Sequence, residues 1–123
     1  ATHALANPLN AHYDIIHGQA IGAMLPHVIR FNGEEVGQWY IDLLEVTAHC
    51  DGCPPPAGGP EALAEYVAAL VQQAGLPSRL SEMGVEEAKL STLAADAAKQ
   101  WTGSFNPRSV NAVALESIYR QAF

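Results

Sequence analysis

The sequence predicts an all-α domain, and three observations predict it. Ala and Leu, both strong helix formers, dominate the composition. The alternation of Val, Ile and Thr that marks half-buried strands is nearly absent. Apolar residues instead recur at i, i+3, i+4 and i+7 in stretch after stretch. With 123 residues, 49% apolar and 15% charged, the chain reads as a single globular helical domain spanning residues 1–123.

Each element has its own reason. A first helix is expected over about residues 2–12, bent at Pro8, whose ring removes a backbone donor. Asn10 and Asp14 favour a turn, and Ile15 and Ile16 can pin a reversal into the core. A second helix runs from about 17 to 31, apolar nearly all round and so expected to be buried. Asn32-Gly33 reads as its stop. A third, over about 35–47, carries a stripe of Val36, Trp39, Tyr40, Leu43, Leu44 and Thr47. Three successive prolines and Gly58-Gly59 mark residues 49–60 as a surface loop. Pro60 suits the first position of a fourth helix. Leu63, Tyr66, Val67, Leu70, Val71 and Ala74 line one face of it, and Gly75 ends it. A connector over 76–85 leads to a fifth helix at about 87–100. Residues 101–108 form a loop held by Gly103 and Pro107. Asn111 can cap a last helix that turns Leu115, Ile118, Tyr119 and Ala122 inward.

Several function classes are disfavoured. A net charge of −7 lacks the basic footprint of a nucleic-acid binder. No run of eighteen apolar residues offers a membrane span, and no signal peptide is visible. Two cysteines are too few for a disulfide framework, which fits a reducing cytoplasm. Cys50 and Cys53 form a CxxC, but only His49 stands beside them, and they precede a proline run; incidental surface thiols are the better reading. Gly58-Gly59 follows no strand and is no phosphate loop. Trp39, Tyr40 and Tyr66 fall on core stripes, so packing is their default role. The chain opens on Ala inside an apparent helix, as a processed product or a piece of a longer polypeptide would.

Chemistry concentrates at the start. Four of the five histidines lie in the first 27 residues: His3, His12, His17 and His27. His3 and His17 are fourteen residues apart, roughly 21 Å along one straight helix. Two imidazoles on one metal need nitrogens about 2 Å from it. They can share an ion only if the chain reverses between them, which the stretch from Asn10 to Ile16 permits. Spacing alone leaves two readings open: a shared metal, or ordinary hydrogen-bonded histidines. Two ligands are also fewer than a catalytic site requires, and no HExxH pattern supplies another.

The succession of short motifs resembles the C-terminal domain of the iron-dependent (group III) alcohol dehydrogenases, of the dehydroquinate synthase-like fold. It is carried by His3-Ala4, Asn7-Pro8-Leu9, His17-Gly18, Leu25-Pro26-His27-Val28 and Arg30-Phe31-Asn32. It continues through Gly75-Leu76-Pro77, Met83-Gly84-Val85, Thr102-Gly103, Asn106-Pro107-Arg108, Ile118-Tyr119 and Ala122-Phe123, over essentially the whole chain. The resemblance implies that His3 and His17 are two ligands of a divalent metal, iron or zinc. It places Asn7 near the nicotinamide of NAD or NADP, and Thr102 and Gly103 near a small alcohol or aldehyde. Such enzymes add an N-terminal coenzyme-binding domain with a Gly-rich loop and two further metal ligands; neither is in this sequence. The chain alone is therefore expected to be inactive. Many relatives carry a histidine where Asn7 stands, and an amide cannot shuttle a proton at neutral pH. Ile16 replaces a common proline. His12 and His27 receive no role. Self-association as a homo-oligomer stays open. The rival readings are a non-catalytic helical binding or structural module, and a split enzyme whose coenzyme domain is a separate chain.

Overall fold

The computed structural model describes residues 1–47 and 58–123. Five α-helices follow in order: α1 (Thr2–Tyr13), α2 (His17–Thr47), α3 (Pro60–Gln73), α4 (Leu90–Ala97) and α5 (Ala112–Ala122). Three 3-10 turns, Ser81–Met83, Glu87–Lys89 and Trp101–Phe105, fill the connections. Among the described residues there is no strand. The CxxC of Cys50 and Cys53 lies outside them.

The caps form where the residue types require them. Asn111 Oδ1 accepts the Ala114 N–H at 2.9 Å and starts α5. Pro60 opens α3, where a missing N–H costs nothing. Beyond α3, Gly75 takes a left-handed φ of 69°, and the Leu76 N–H reaches back to the Val71 carbonyl at 3.2 Å, a Schellman-type stop. α1 passes through Pro8 without interruption and ends at Asp14, itself left-handed at φ 52°.

The main core joins Leu5 and Leu9 of α1, Met24 and Val28 of α2, and Leu90 and Leu93 of α4 to Leu115, Ile118 and Tyr119 of α5. A smaller cluster of Ile29, Leu44, Leu63 and Ala64 fastens α3 to α2. Ile15 is buried in the main core, whereas Ile16 is 67% exposed, so only one of the pair pins the reversal.

Three expectations need correction. Asn32-Gly33 does not end a helix: α2 runs on to Thr47 and breaks its geometry only at Val36, with φ −120° and ψ 29°. The reason is tertiary. Asn32 is buried and exchanges two hydrogen bonds with Asn106, at 2.7 and 3.1 Å. Gly33 is the seat of Pro60: a Cβ there would lie 2.4 Å from Pro60 Cβ. Second, Trp39 is 63% exposed, and Leu43 is exposed as well, so only part of the stripe on the second half of α2 is core; Leu70 of α3 is likewise exposed. Third, the fifth helix is shorter than its pattern, a 3-10 turn at Glu87–Lys89 preceding α4. Gly33→Ala is expected to lower stability by about 1–2 kcal/mol, because the added methyl must push α3 away or strain Pro60. Urea unfolding checks this; an unchanged midpoint would mean that α3 is free to shift.

Candidate metal centre

Helical periodicity puts His3, Asn7 and Asn10 on one face of α1, at i, i+4 and i+7. The left-handed Asp14 then turns the chain, its N–H bonding the Asn10 carbonyl at 3.0 Å. α2 starts at His17. The reversal brings the His3 and His17 rings to a centroid separation of 5.3 Å, with planes tilted by 41°. Two imidazoles bound through nitrogens about 2.05 Å from one tetrahedral ion would have centroids about 5.2 Å apart. The pair therefore fits a shared metal. Both residues are exposed, so the rings open outward and are not sealed in the core.

Asn10 sets the chemistry of His17. Its Nδ2 donates to the Ile15 carbonyl, which fixes the amide so that Oδ1 faces His17. Oδ1 can only accept, so His17 Nδ1 carries the proton and donates it at 3.1 Å. That tautomer leaves Nε2 with a free lone pair, the arrangement a metal ligand needs. Sequence reasoning took Asn10 for a turn former alone. The available signal was its place one turn beyond Asn7, on the His3 face.

The segment after α4 closes against the same helix. Asn7 Nδ2 donates to Gln100 Oε1 at 3.0 Å. Three residues further, buried Gly103 lies against α1, where a Cβ would make an ordinary contact, 3.7 Å from Ala4 Cβ. Between them the Thr102 hydroxyl oxygen is buried with no hydrogen-bond partner among the described residues. Trp101 and Phe105, 74% and 75% exposed, meet edge to face at 5.6 Å. A groove of about 400 Å³ runs along this segment, past Gln100, Trp101, Gly103 and Asn106. The fold thus gathers His3, His17, Asn7, Thr102 and Gly103 around the first two turns of α1.

Other histidines stand apart. His12 pairs with Asp96 at 3.0 Å, and that carboxyl is held below its ordinary range by hydrogen bonds from Lys99 and His12. His27 is half-buried; burial first, and then Arg30, hold its imidazole below the ordinary 6.5, against a smaller raising effect of Glu61. The native chain then binds fewer protons at His27 than the unfolded chain does, so stability rises with pH just below 6.5. Stability should fall as pH drops from 7 to 5, and His27→Gln should flatten part of that slope; parallel denaturation curves at both pH values measure it. Among the described residues no cluster of three or more His, Cys, Asp or Glu side chains could hold a metal. Two imidazoles by themselves are fewer ligands than a catalytic metal takes.

Residues 1–123 match, end to end, the family described as the Fe-containing alcohol dehydrogenase family, C-terminal. The chain belongs to this alcohol dehydrogenase family. It is 32% identical over 121 residues to the 1,3-propanediol dehydrogenase of Citrobacter freundii, covering 98% of this chain and 31% of that protein. The lactaldehyde reductase of Escherichia coli K12 is 31% identical over 121 residues, 98% of this chain and 32% of its own length. The crystal structure of a 1,3-propanediol oxidoreductase superposes with a TM-score of 0.86 at 31% identity, over 99% of this chain and 32% of that one. The chain spans about a third of the length of these relatives. Its fold is accordingly the C-terminal helical domain of the Fe-containing alcohol dehydrogenases. Among the described residues no helix is long and apolar enough to cross a membrane.

Proposed function

We propose that this chain is the C-terminal, metal-binding part of an NAD(P)-dependent alcohol dehydrogenase or aldehyde reductase. His3 and His17 are two ligands of its divalent metal, iron or zinc. The observation that carries the reading is the 5.3 Å approach of two rings from residues fourteen apart in sequence. The Asn10-directed tautomer of His17 supports it. The 123 residues act as one helical domain, and the remainder of a longer polypeptide supplies the coenzyme-binding domain and the other ligands. The chain by itself would not turn over substrate.

When bound, the metal supplies Lewis-acid polarisation of the alcohol or aldehyde oxygen. The hydride chemistry belongs to the nicotinamide. The chain's own residues bind and position. Asn7, tethered to Gln100, presents a polar edge to the coenzyme and no titratable proton. The buried Thr102 hydroxyl has a hydrogen bond to give, and Gly103 packs its segment against Ala4 of α1, beside the small substrate. The protein would work in the cytoplasm, without nucleic acid or membrane.

Metal analysis of the longest natural polypeptide carrying these residues tests the reading. Wild type should hold about one metal per site, and His3→Ala and His17→Ala should each lose most of it along with activity. Equal metal content in all three would remove the assignment.

A further inference from the structure

A second polar site lies away from the histidine pair, in the groove where α2, α3 and α5 meet. It has a volume of about 320 Å³. Its lining includes Arg30, Arg79 and Arg120, together with His27, Gln72 and Ser78. The chain has six lysines and arginines against thirteen acidic residues, so half of its cationic side chains converge on this one groove. No acidic side chain is among the residues lining it. Glu61 and Glu116 pair with Arg30 and Arg120 from outside the lining, so the uncompensated charge of the groove is that of Arg79, and what the other two arginines add is N–H donors.

The donors are partly preset. Arg30 uses Nε and Nη2 to grip Glu61 at 2.7–2.9 Å, which holds the side chain still and leaves Nη1 without a partner among the described residues. Arg120 uses Nε and Nη2 on Glu116, at 3.1 and 2.6 Å, and its Nη1 is 3.7 Å from Glu87, beyond hydrogen-bond reach. Among the described residues no carboxylate pairs with the Arg79 guanidinium; its backbone N–H donates to the Glu82 carboxylate and its carbonyl accepts from the Glu82 N–H. Small residues, Gly22, Ala23 and Ala68, leave the space between the arms open. Three guanidinium groups from three separate elements, two of them braced, can offer N–H donors to the oxygens of a phosphate.

We infer that this groove binds a phosphate group, either inorganic phosphate or the phosphate of a small phosphomonoester. A volume near the lower end for ligand pockets suits one phosphate with a short appendage and excludes a whole dinucleotide. The site shares no lining residue with the groove beside Thr102, so it can be filled while the histidine centre works.

Isothermal titration on the full natural polypeptide tests this, with inorganic phosphate and glycerol 3-phosphate as separate probes and acetate as the contrast. Saturable binding of at least one phosphate probe is expected, with acetate at least tenfold weaker. Tighter glycerol 3-phosphate identifies a phosphomonoester site; equal affinities identify a free-anion site. Arg79→Gln alters an exposed side chain with no ion pair to lose among the described residues, and should weaken phosphate about tenfold or more, the loss of one charge-assisted hydrogen bond. Arg120→Gln should do the same, and Lys89→Gln, whose side chain does not line the groove, should not. The double variant His3→Ala/His17→Ala should bind phosphate as wild type does, which keeps this test independent of the metal assignment. Absence of saturable phosphate binding, unchanged affinity in Arg79→Gln, or loss of binding in the double histidine variant would each overturn the inference.

Discussion

Tyr119→Ala should remove about 3–5 kcal/mol of folding stability, the largest loss expected of any single substitution considered for this fold. Tyr119 is fully buried on α5, in the middle of the main core. Truncation would leave a cavity that α1, α2 and α4, already packed around it, cannot fill by relaxing. The ring also carries a directional bond. Its hydroxyl donates to the Leu5 carbonyl of α1 at 2.5 Å, across 114 residues of sequence. Burial pushes that hydroxyl well above the usual phenol range, so it stays a neutral donor at any working pH. The bond falls where α1 is weakest. Pro8 has no N–H, so the Ala4 carbonyl loses its helical donor, and the Tyr119 bond steadies the next carbonyl along. Tyr119→Phe separates the two contributions. It keeps the ring and should cost about 1 kcal/mol, the net worth of one hydrogen bond. Urea unfolding of wild type and both variants measures the difference. A Tyr119→Ala loss below that of Tyr119→Phe would show that the cavity argument is wrong. The consequence for function is direct, since Leu5 lies two residues from His3 on the same helix.

The sequence made the helical architecture legible because most of its punctuation is local. Asn111, Pro60 and Gly75 act through their own backbone geometry, and each does in the structure what its residue type predicts. The inward face of α5 is equally legible, as a plain i, i+3, i+4 pattern. Misreadings arose wherever a distant partner decides. Asn32-Gly33 has the composition of a helix stop, but Asn106 satisfies the amide and Pro60 occupies the space beside the glycine. Two motifs quoted separately, Arg30-Phe31-Asn32 and Asn106-Pro107-Arg108, turn out to be one structural joint. Arg108 donates to the Phe31 carbonyl at 2.6 Å, lies 4.0 Å over the Phe31 ring and pairs with Glu34 at 2.7 Å. Nothing in either motif alone signals the other. The histidine pair was legible only as a condition, that the chain must reverse, and the turn chemistry of Asn10 and Asp14 meets it. The exposure of Trp39 was not legible, because an amphipathic stripe specifies a face and not what covers that face.

On the proposed metal reading, Asn10→Ala should weaken metal binding tenfold to a hundredfold, about 1.4–2.7 kcal/mol. The argument runs through a single amide used at both ends. Its NH2 end is held by the Ile15 carbonyl in the turn, and its oxygen end receives the His17 Nδ1 proton. Without it the imidazole can rotate or shift its proton to Nε2, and either change costs binding free energy when the lone pair must face the ion. The turn also loses a bond, so a stability loss of about 1 kcal/mol accompanies the variant and could by itself mimic a weaker site. Asn10→Asp separates the two effects. A carboxylate keeps an acceptor for Nδ1–H and makes the ring a better donor to a metal, yet it cannot donate to Ile15. Metal affinity, measured by chelator competition, should therefore stay at or above wild type in Asn10→Asp while the urea midpoint drops as it does in Asn10→Ala. If instead affinity tracks stability in both variants, Asn10 serves the reversal alone, and His17 needs no partner to present its nitrogen.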